Sequence, residues 1–369
     1  MSLLPLQSNR LKKAKLAYTP RNITLEKATS ILFGKDIIPN SGDLVLAMVE
    51  KIGQHTALEL ANGRRSSLFV GDEIIVCYGN RYAPDQFEAE VPKDLLSCDL
   101  VASGGLASRM KCRHASMKNP TKIHPIGLLA DSNGKRINLF DSALPNIIAN
   151  QIQRPYIIAV VGTSMNAGKT TTAATLIRGL HNANYRVGAA KVTGTGSGRD
   201  TWLMMDAGSA ITFDFTHAGF PSTYLLTPEQ ITSVFTTLTS QLSKENLDVI
   251  VLEVADGLYQ NETAALLNSD IFAQSVDSVI FAAGDAMGAA SGAQWLTQKK
   301  LPLIAISGRL TASPLSIQET IRATGLSVVD KETLSSPAIA NLLNIPRKKS
   351  DTQASSVVDW RLATMTCSY

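Results

Sequence analysis

The chain has little of what builds metal and redox centres: four cysteines and five histidines in 369 residues. Cys77, Cys98, Cys112 and Cys367 show no C-x-x-C spacing. They read as free thiols of a reducing compartment, not as a zinc site. No apolar run approaches 18 residues, so no membrane-spanning helix is expected. Basic residues near the N-terminus are followed by no apolar stretch, so no signal peptide is expected, and the cytoplasm is the expected location. Aromatic residues are 6% of the chain. None interleaves with the basic run Arg109, Lys111, Arg113, Lys118 and Lys122, so nucleic acid is not an expected partner. That run and the N-terminal cluster Arg10, Lys12, Lys13, Lys15, Arg21 and Lys27 carry the uneven part of a net charge of +4. Each reads either as a solvated face or as a contact for an anionic substrate. No internal repeat and no Ser-His-Asp spacing is present.

Apolar residues are plentiful, at 44% against 18% charged, and the length suits about two domains. Residues 1–20 read as a flexible arm. Residues 21–150 read as β-rich, with short strands at 43–50, 55–60 and 73–78 and hairpin signals at Asn62-Gly63 and Asn133-Gly134. Within that unit, 92–145 reads as less regular. From residue 151 to 345 strand and helix alternate. Strands are expected at 156–161, 186–192, 249–254, 278–283 and 302–307. Helices are expected at 169–182, 200–208 and 228–244. These strands are apolar with little alternation, the pattern of a parallel sheet covered on both faces. Residues 346–369 are polar and read as a disordered tail.

The most informative segment opens this second unit. An apolar β-branched run, Ile157 to Val161, leads into Gly162, Thr163, Ser164, Met165, Asn166, Ala167, Gly168, Lys169, Thr170 and Thr171. A strand, a glycine loop and Gly-Lys-Thr at a helix start make a phosphate-binding loop. Backbone N–H groups and the helix N-terminus face a polyphosphate, Lys169 neutralises it, and the Thr170 hydroxyl meets Mg²⁺. The expected fold class is therefore α/β, a parallel-sheet P-loop NTPase domain preceded by a smaller β-rich domain, barrel- or sandwich-like.

Three further strand ends carry polar groups. Lys191 precedes a glycine-rich stretch ending at Gly198. It is either a surface lysine or a group near the phosphates, since ligands bind at the carboxyl ends of such strands. Asp200 stands at a helix start, where aspartate either caps the helix or meets a metal. Glu253 ends the apolar run 249–252, where it would reach Mg²⁺ or its waters. Asp256 is a polar contact or a turn residue, Asp206 reads as solvated or capping, and His217 reads as structural more readily than as a substrate contact.

The string Gly162-Thr-Ser-x-x-x-Gly-Lys-Thr-Thr171, with Lys191, Asp200 and Glu253, resembles dethiobiotin synthetase and the cobyrinic-acid amidoligases over about 155–310. The signature lysine of MinD-like loops would fall at Thr163, so that subtype is disfavoured. The resemblance implies that Lys169 and Lys191 are catalytic and that Thr170, Asp200 and Glu253 hold Mg²⁺. It also implies that a carboxylate or carbamate of a small substrate is activated by phosphoryl transfer from ATP for ligation to an amine. Val254 and Asp256 replace two glycines of the family pattern, which puts its backbone contacts to substrate in doubt. No glutamine-amidotransferase domain accompanies the loop, so any nitrogen donor is free or part of the substrate. No Asn-Lys-x-Asp string is present and Ser307-Gly308-Arg309 ends the last strand, which favours ATP over GTP. The segment Arg199–Gly208 also resembles the molybdopterin-guanine dinucleotide adaptor proteins. A small-molecule kinase and a nucleotide-dependent switch or adaptor therefore stand as alternatives. A homodimer is the expected assembly.

Overall fold

A computed structural model describes residues 2–34, 36–147 and 154–346. The N-terminal unit contains β1 (Ser2–Pro5), α1 (Ser8–Lys13), β2 (Lys15–Leu16), β3 (Ser30–Phe33), β4 (Leu44–Lys51), β5 (Ala57–Glu59) and β6 (Arg65–Ser67). It continues with β7 (Glu73–Tyr78), β8 (Arg81–Tyr82), β9 (Phe87–Glu90), β10 (Cys98–Ala102), β11 (Leu106–Arg113) and β12 (Thr121–Ala130). Pairings run from β12 to β4, β7, β11 and β10, and β10 pairs back to β12. The ring closes into a barrel, which leaves no free edge within it. Along β4, Leu44 and Leu46 enter one apolar cluster while Val45, Ala47 and Val49 enter another. Apolar material covers both faces of the strand, so it reads as a continuous hydrophobic run. The turn at Asn62-Gly63 joins β5 to β6 with Gly63 at φ 82°.

Two expectations for this unit are corrected. Residues 2–20 are not a loose arm: β1 pairs with β3 and β2 pairs with β7. The basic side chains that suggested solvent lie outside, with Arg10 bound to Glu73 and Lys15 to Asp72. Leu6, Leu11, Ala17 and Tyr18 between them are buried. Nor is 92–145 irregular, because β10, β11 and β12 close the barrel there. Pro125 and Gly127 sit in β12 at a register shift against β4, so the strand signal is broken where the strand bulges.

The second unit holds β13 (Tyr156–Gly162), α2 (Lys169–Asn182), β14 (Val187–Lys191), α3 (Gly198–Asp206), β15 (Ile211–Asp214), α4 (Pro228–Ser243), β16 (Val249–Glu253), α5 (Asn261–Leu267) and α6 (Asp270–Ser275). It ends with β17 (Ser278–Ala282), α7 (Ala286–Gln298), β18 (Leu303–Ser307), α8 (Pro314–Thr324), α9 (Lys331–Ser335) and α10 (Ile339–Leu342). The sheet is parallel throughout, in the order β15-β14-β16-β13-β17-β18. Ile157, Ala159 and Val161 pack on the α4–α7 side, and Ile158 and Val160 pack on the α2 side. Helices on both faces explain the unbroken apolar strands. The edge strand β15 has no counterpart in the sequence reading. It is four residues long and largely half-buried.

No helix among the described residues is long and apolar enough to cross a membrane. Cys77 and Cys98 are buried free thiols and Cys112 is an exposed one. Cys367 and the expected disordered tail beyond Pro346 lie outside the described residues.

Candidate functional site

β13 lies between β16 and β17, and the glycine loop leaves its carboxyl end. Loop ends and helix N-termini converge on this edge of a parallel sheet. Two left-handed residues shape the loop, Asn166 at φ 65° and Gly168 at φ 104°. Gly168 also has no room for a side chain: a Cβ would lie 3.0 Å from Gly308 Cα and 3.1 Å from the Arg309 nitrogen. Arg309 N–H donates to the Ala167 carbonyl at 2.9 Å, and Thr163 N–H donates to Ala282 at 3.0 Å. On the other side, a Cβ on Gly257 would lie 2.2 Å from the Thr163 carbonyl oxygen. The backbones that follow β16, β17 and β18 thus brace the loop from both sides. The first N–H groups of α2 have no intrahelical partner, as at any helix start.

Lys169 is buried, and its Nζ donates to the Ser164 carbonyl at 2.7 Å. The side chain folds back over its own loop. Burial holds its pKa below the ordinary lysine value, against the pull of Glu253 and Asp256. The Thr170 hydroxyl donates to Glu253 Oε1 at 2.6 Å. The other Glu253 oxygen, Oε2, is buried and has no hydrogen-bond partner. Burial raises this carboxyl above the usual range, opposed by Lys191. A buried carboxylate oxygen without a donor is unfavourable unless a ligand satisfies it. A hydroxyl and an orphaned carboxylate oxygen beside a phosphate loop are the hard oxygen donors that Mg²⁺ takes. Among the described residues, no group of three His, Cys, Asp or Glu is placed to hold a metal ion.

Lys191 is the last residue of β14, in register with Glu253 on β16. It is buried and forms an ion pair with Asp200 in the first turn of α3. Burial pulls the lysine pKa down, but Asp200 and Glu253 outweigh it and hold the group protonated. The three residues read as metal ligands therefore divide. Thr170 and Glu253 are in contact, whereas Asp200 binds Lys191. Nor does Asp200 cap the helix, because Ser197 holds the N-cap position and makes no side-chain cap hydrogen bond.

The cap comes from the N-terminal unit, from the end of β5. Glu59 Oε2 accepts from Ser197 Oγ and from Gly198 N–H, both at 3.1 Å. The glycine-rich stretch after β14 leaves room for the barrel: a Cβ on Gly196 would meet Thr19 Oγ1 at 2.5 Å, and one on Gly198 would meet the Tyr18 ring at 2.6 Å. Asn166 in the loop donates to Asp85 Oδ2 at 2.7 Å. Between the units lies a cleft of about 1160 Å³. Its floor holds Lys169, Thr170, Lys191 and Glu253, and its far wall includes His55 and Arg81 from the barrel.

Sequence reasoning did not place Glu59, Asp85 or Arg81 at the site, because no local pattern marks a barrel residue that meets a distant loop. Asp256 was visible, and it takes φ 65° where the family pattern has glycine. Aspartate tolerates that conformation better than most residues. The basic run does not line the cleft. Arg109 pairs with Asp94, Lys111 with Glu90 and Lys122 with Asp99. His217 lies outside the cleft, with Nδ1 at 3.0 Å from Asp214 Oδ1, while Asp206 lines it.

No family model and no curated protein matches the chain. Among solved structures, it is similar to the 54 kDa signal recognition particle protein of Aeropyrum pernix K1 in complex with GDP, at 19% identity and a TM-score of 0.36, over 55% of this chain and 49% of that one. Chloroplast FtsY of Physcomitrella patens is similar at 15% identity and a TM-score of 0.35, over 52% of this chain and 62% of that one. The hydrogenase maturation factor HypB of Archaeoglobus fulgidus is similar at 12% identity and a TM-score of 0.34, over 52% of this chain and 91% of that one. The chain spans about half the length of the first of these. The glycine loop between β13 and α2 leaves the centre of a six-stranded parallel sheet, so residues 154–346 form an α/β unit with a P-loop NTPase-like fold, preceded by a β-rich unit.

Proposed function

We propose that this chain binds a Mg²⁺–nucleoside triphosphate, with ATP preferred, and phosphorylates a carboxylate or carbamate of a small substrate for ligation to an amine. The observation that carries this reading is the cleft. It joins the phosphate loop, two buried lysines and an orphaned carboxylate oxygen to a second wall with room for another molecule. Bound Mg-ATP would supply the electrophilic phosphorus and a cation to neutralise charge on its phosphates.

The chain's own residues supply position and charge. Lys169 exchanges its bond to the Ser164 carbonyl for phosphate oxygens. Thr170 and Glu253 offer oxygens to the cation or its water. Lys191, kept charged by Asp200 and Glu253, stands one strand away and neutralises charge between nucleotide and substrate.

A nucleotide-controlled switch is the second reading, favoured by the bond from Asn166 in the loop to Asp85 in the barrel. ADP release measured over a panel of small carboxylic acids plus an amine separates the two. The ligase reading expects one acid to accelerate release. It also expects Lys191→Ala to bind ATP nearly as well as wild type while losing turnover by about 10²-fold, the loss typical of one electrostatic donor. Stimulation by a protein partner and by no acid supports the switch. GTP competing as well as ATP overturns the base preference.

A further inference from the structure

The far wall of the cleft contains a charge that the protein leaves unmatched. Arg81 lies in β8, is 6% exposed and lines the cleft. No carboxylate oxygen comes within 4.0 Å of its nitrogens among the described residues. Buried arginines are ordinarily paired, because an isolated buried charge is strongly unfavourable. The nearest acid by field is Asp85, whose Oδ2 accepts from Asn166 and whose Oδ1 is buried without a hydrogen-bond partner, with neither oxygen within 4.0 Å of the guanidinium nitrogens.

The neutral partners of Arg81 do not fill its five donors. Nη2 donates to Gln86 Oε1 at 2.7 Å, and Nε is buried with no partner. Nη1 lies 3.2 Å from His55 Nε2, which itself lies 2.8 Å from the Val101 carbonyl. A single ring nitrogen either donates to Val101 or accepts from Arg81, never both. Burial, and then Arg81 itself, push the His55 pKa down to about 4, so the ring is neutral. One neutral tautomer donates Nε2–H to Val101 and the other accepts from Arg81 Nη1, so only one of the two contacts is a hydrogen bond at a time. Arg81 thus has a buried charge without a direct ion pair and an Nε donor without an acceptor. A guanidinium in that state suits a carboxylate or another compact oxyanion.

We propose that Arg81 anchors an anion subsite on the barrel wall, opposite the phosphate loop, that binds a carboxylate of the second substrate. This rests on the reading of the cleft as the active site and adds that the substrate carries an anionic group besides the one that reacts. A dicarboxylate or a carboxylated amine has that chemistry. Arg81 acts in binding and selection, not on the reacting atoms.

The test uses the full chain carrying Lys169→Ala, so that the phosphate loop does not report on added anions. Melting temperature is followed with succinate, inorganic phosphate and neutral succinamide at constant ionic strength. Saturable stabilisation by succinate and none by succinamide is expected. Adding Arg81→Met should abolish the succinate effect and raise the melting temperature without anion, because an unmatched buried charge is gone. Arg81→Lys, which keeps the charge, should weaken succinate binding at least tenfold. It remains informative if the Met variant does not fold. Equal succinate stabilisation with and without Arg81 overturns the proposal, as does the absence of any succinate effect. Phosphate acting in place of succinate overturns the carboxylate assignment. A wild-type chain that is not stabilised by Mg-ATP defeats the nucleotide reading, while the succinate measurement still reports on Arg81.

Discussion

Thr170 and Glu253 are 83 residues apart in the chain and share a hydrogen bond of 2.6 Å. One opens the helix after the glycine loop and the other ends the neighbouring strand. The parallel register of β13 with β16 places Val160 beside Glu253 and so brings the two side chains to one edge. The pair is the point from which nucleotide and cation binding can be tested.

Lys169→Ala should leave the fold intact and remove stabilisation by Mg-ATP. In the wild type, nucleotide at about 100 times its Kd should stabilise by about 2.7 kcal/mol. Differential scanning fluorimetry with and without Mg-ATP reads this directly. An equal rise in melting temperature in both proteins would mean that the loop does not hold the triphosphate.

Glu253→Gln keeps the shape of the side chain and an acceptor for Thr170, and removes the buried negative charge. The variant should be at least as stable as wild type without ligand, since burial already raises this carboxyl. It should need roughly 10–100 times more Mg²⁺ to reach the same nucleotide affinity, the range seen when groups supporting a metal are lost. The measurement is a nucleotide titration at a series of Mg²⁺ concentrations. An unchanged Mg²⁺ requirement removes Glu253 from the cation site.

Asp214 joins the two units. Its Oδ2 accepts from Tyr18 Oη at 2.7 Å, and Arg21 Nη2 lies 3.3 Å from its Oδ1. Burial alone would raise this carboxyl, but Arg21 and the hydrogen bonds from His217 and Thr216 hold it well below the usual range. A depressed folded pKa contributes stability above the unfolded value, near 3.9, and loses it as pH falls toward the folded value. Asp214→Asn should therefore destabilise by about 3 kcal/mol at neutral pH, as when one partner of a buried pair is removed. The gap to wild type should stay constant down to about pH 5 and narrow below about pH 4. Urea melts of both proteins at pH 7, 5 and 3.5 test it. A gap that widens in acid contradicts the assignment.

How much of this was legible in the sequence depends on how local each signal is. The phosphate loop, Lys191 and Glu253 could be read because each follows an apolar run whose end is visible in the chain. The N-terminal unit could be read as β-rich, barrel- or sandwich-like, and what decides between the two is β10 pairing with both β11 and β12. Tyr18 and Arg21 were hidden within a run of lysines and arginines that resembled a solvated arm. Glu59 and Arg81 could not be found, since what makes each of them matter is a group more than a hundred residues away or an absent counter-ion. Asp200 lines the same cleft as Thr170 and Glu253, but its partner is Lys191, and only the side-chain geometry shows that.

The Glu59 contact has a consequence for how the chain can be divided. Helix α3 carries Asp200, and Asp200 holds Lys191, yet the acid that satisfies the first N–H of α3 belongs to the N-terminal unit. The orientation of Lys191 is therefore borrowed from outside its own domain. A fragment cut at residue 154 keeps every residue of the glycine loop and loses the support that aims the second lysine. The two units work as halves of one tool, and grafting the P-loop half onto another partner would require that partner to bring an acid of its own to the start of α3.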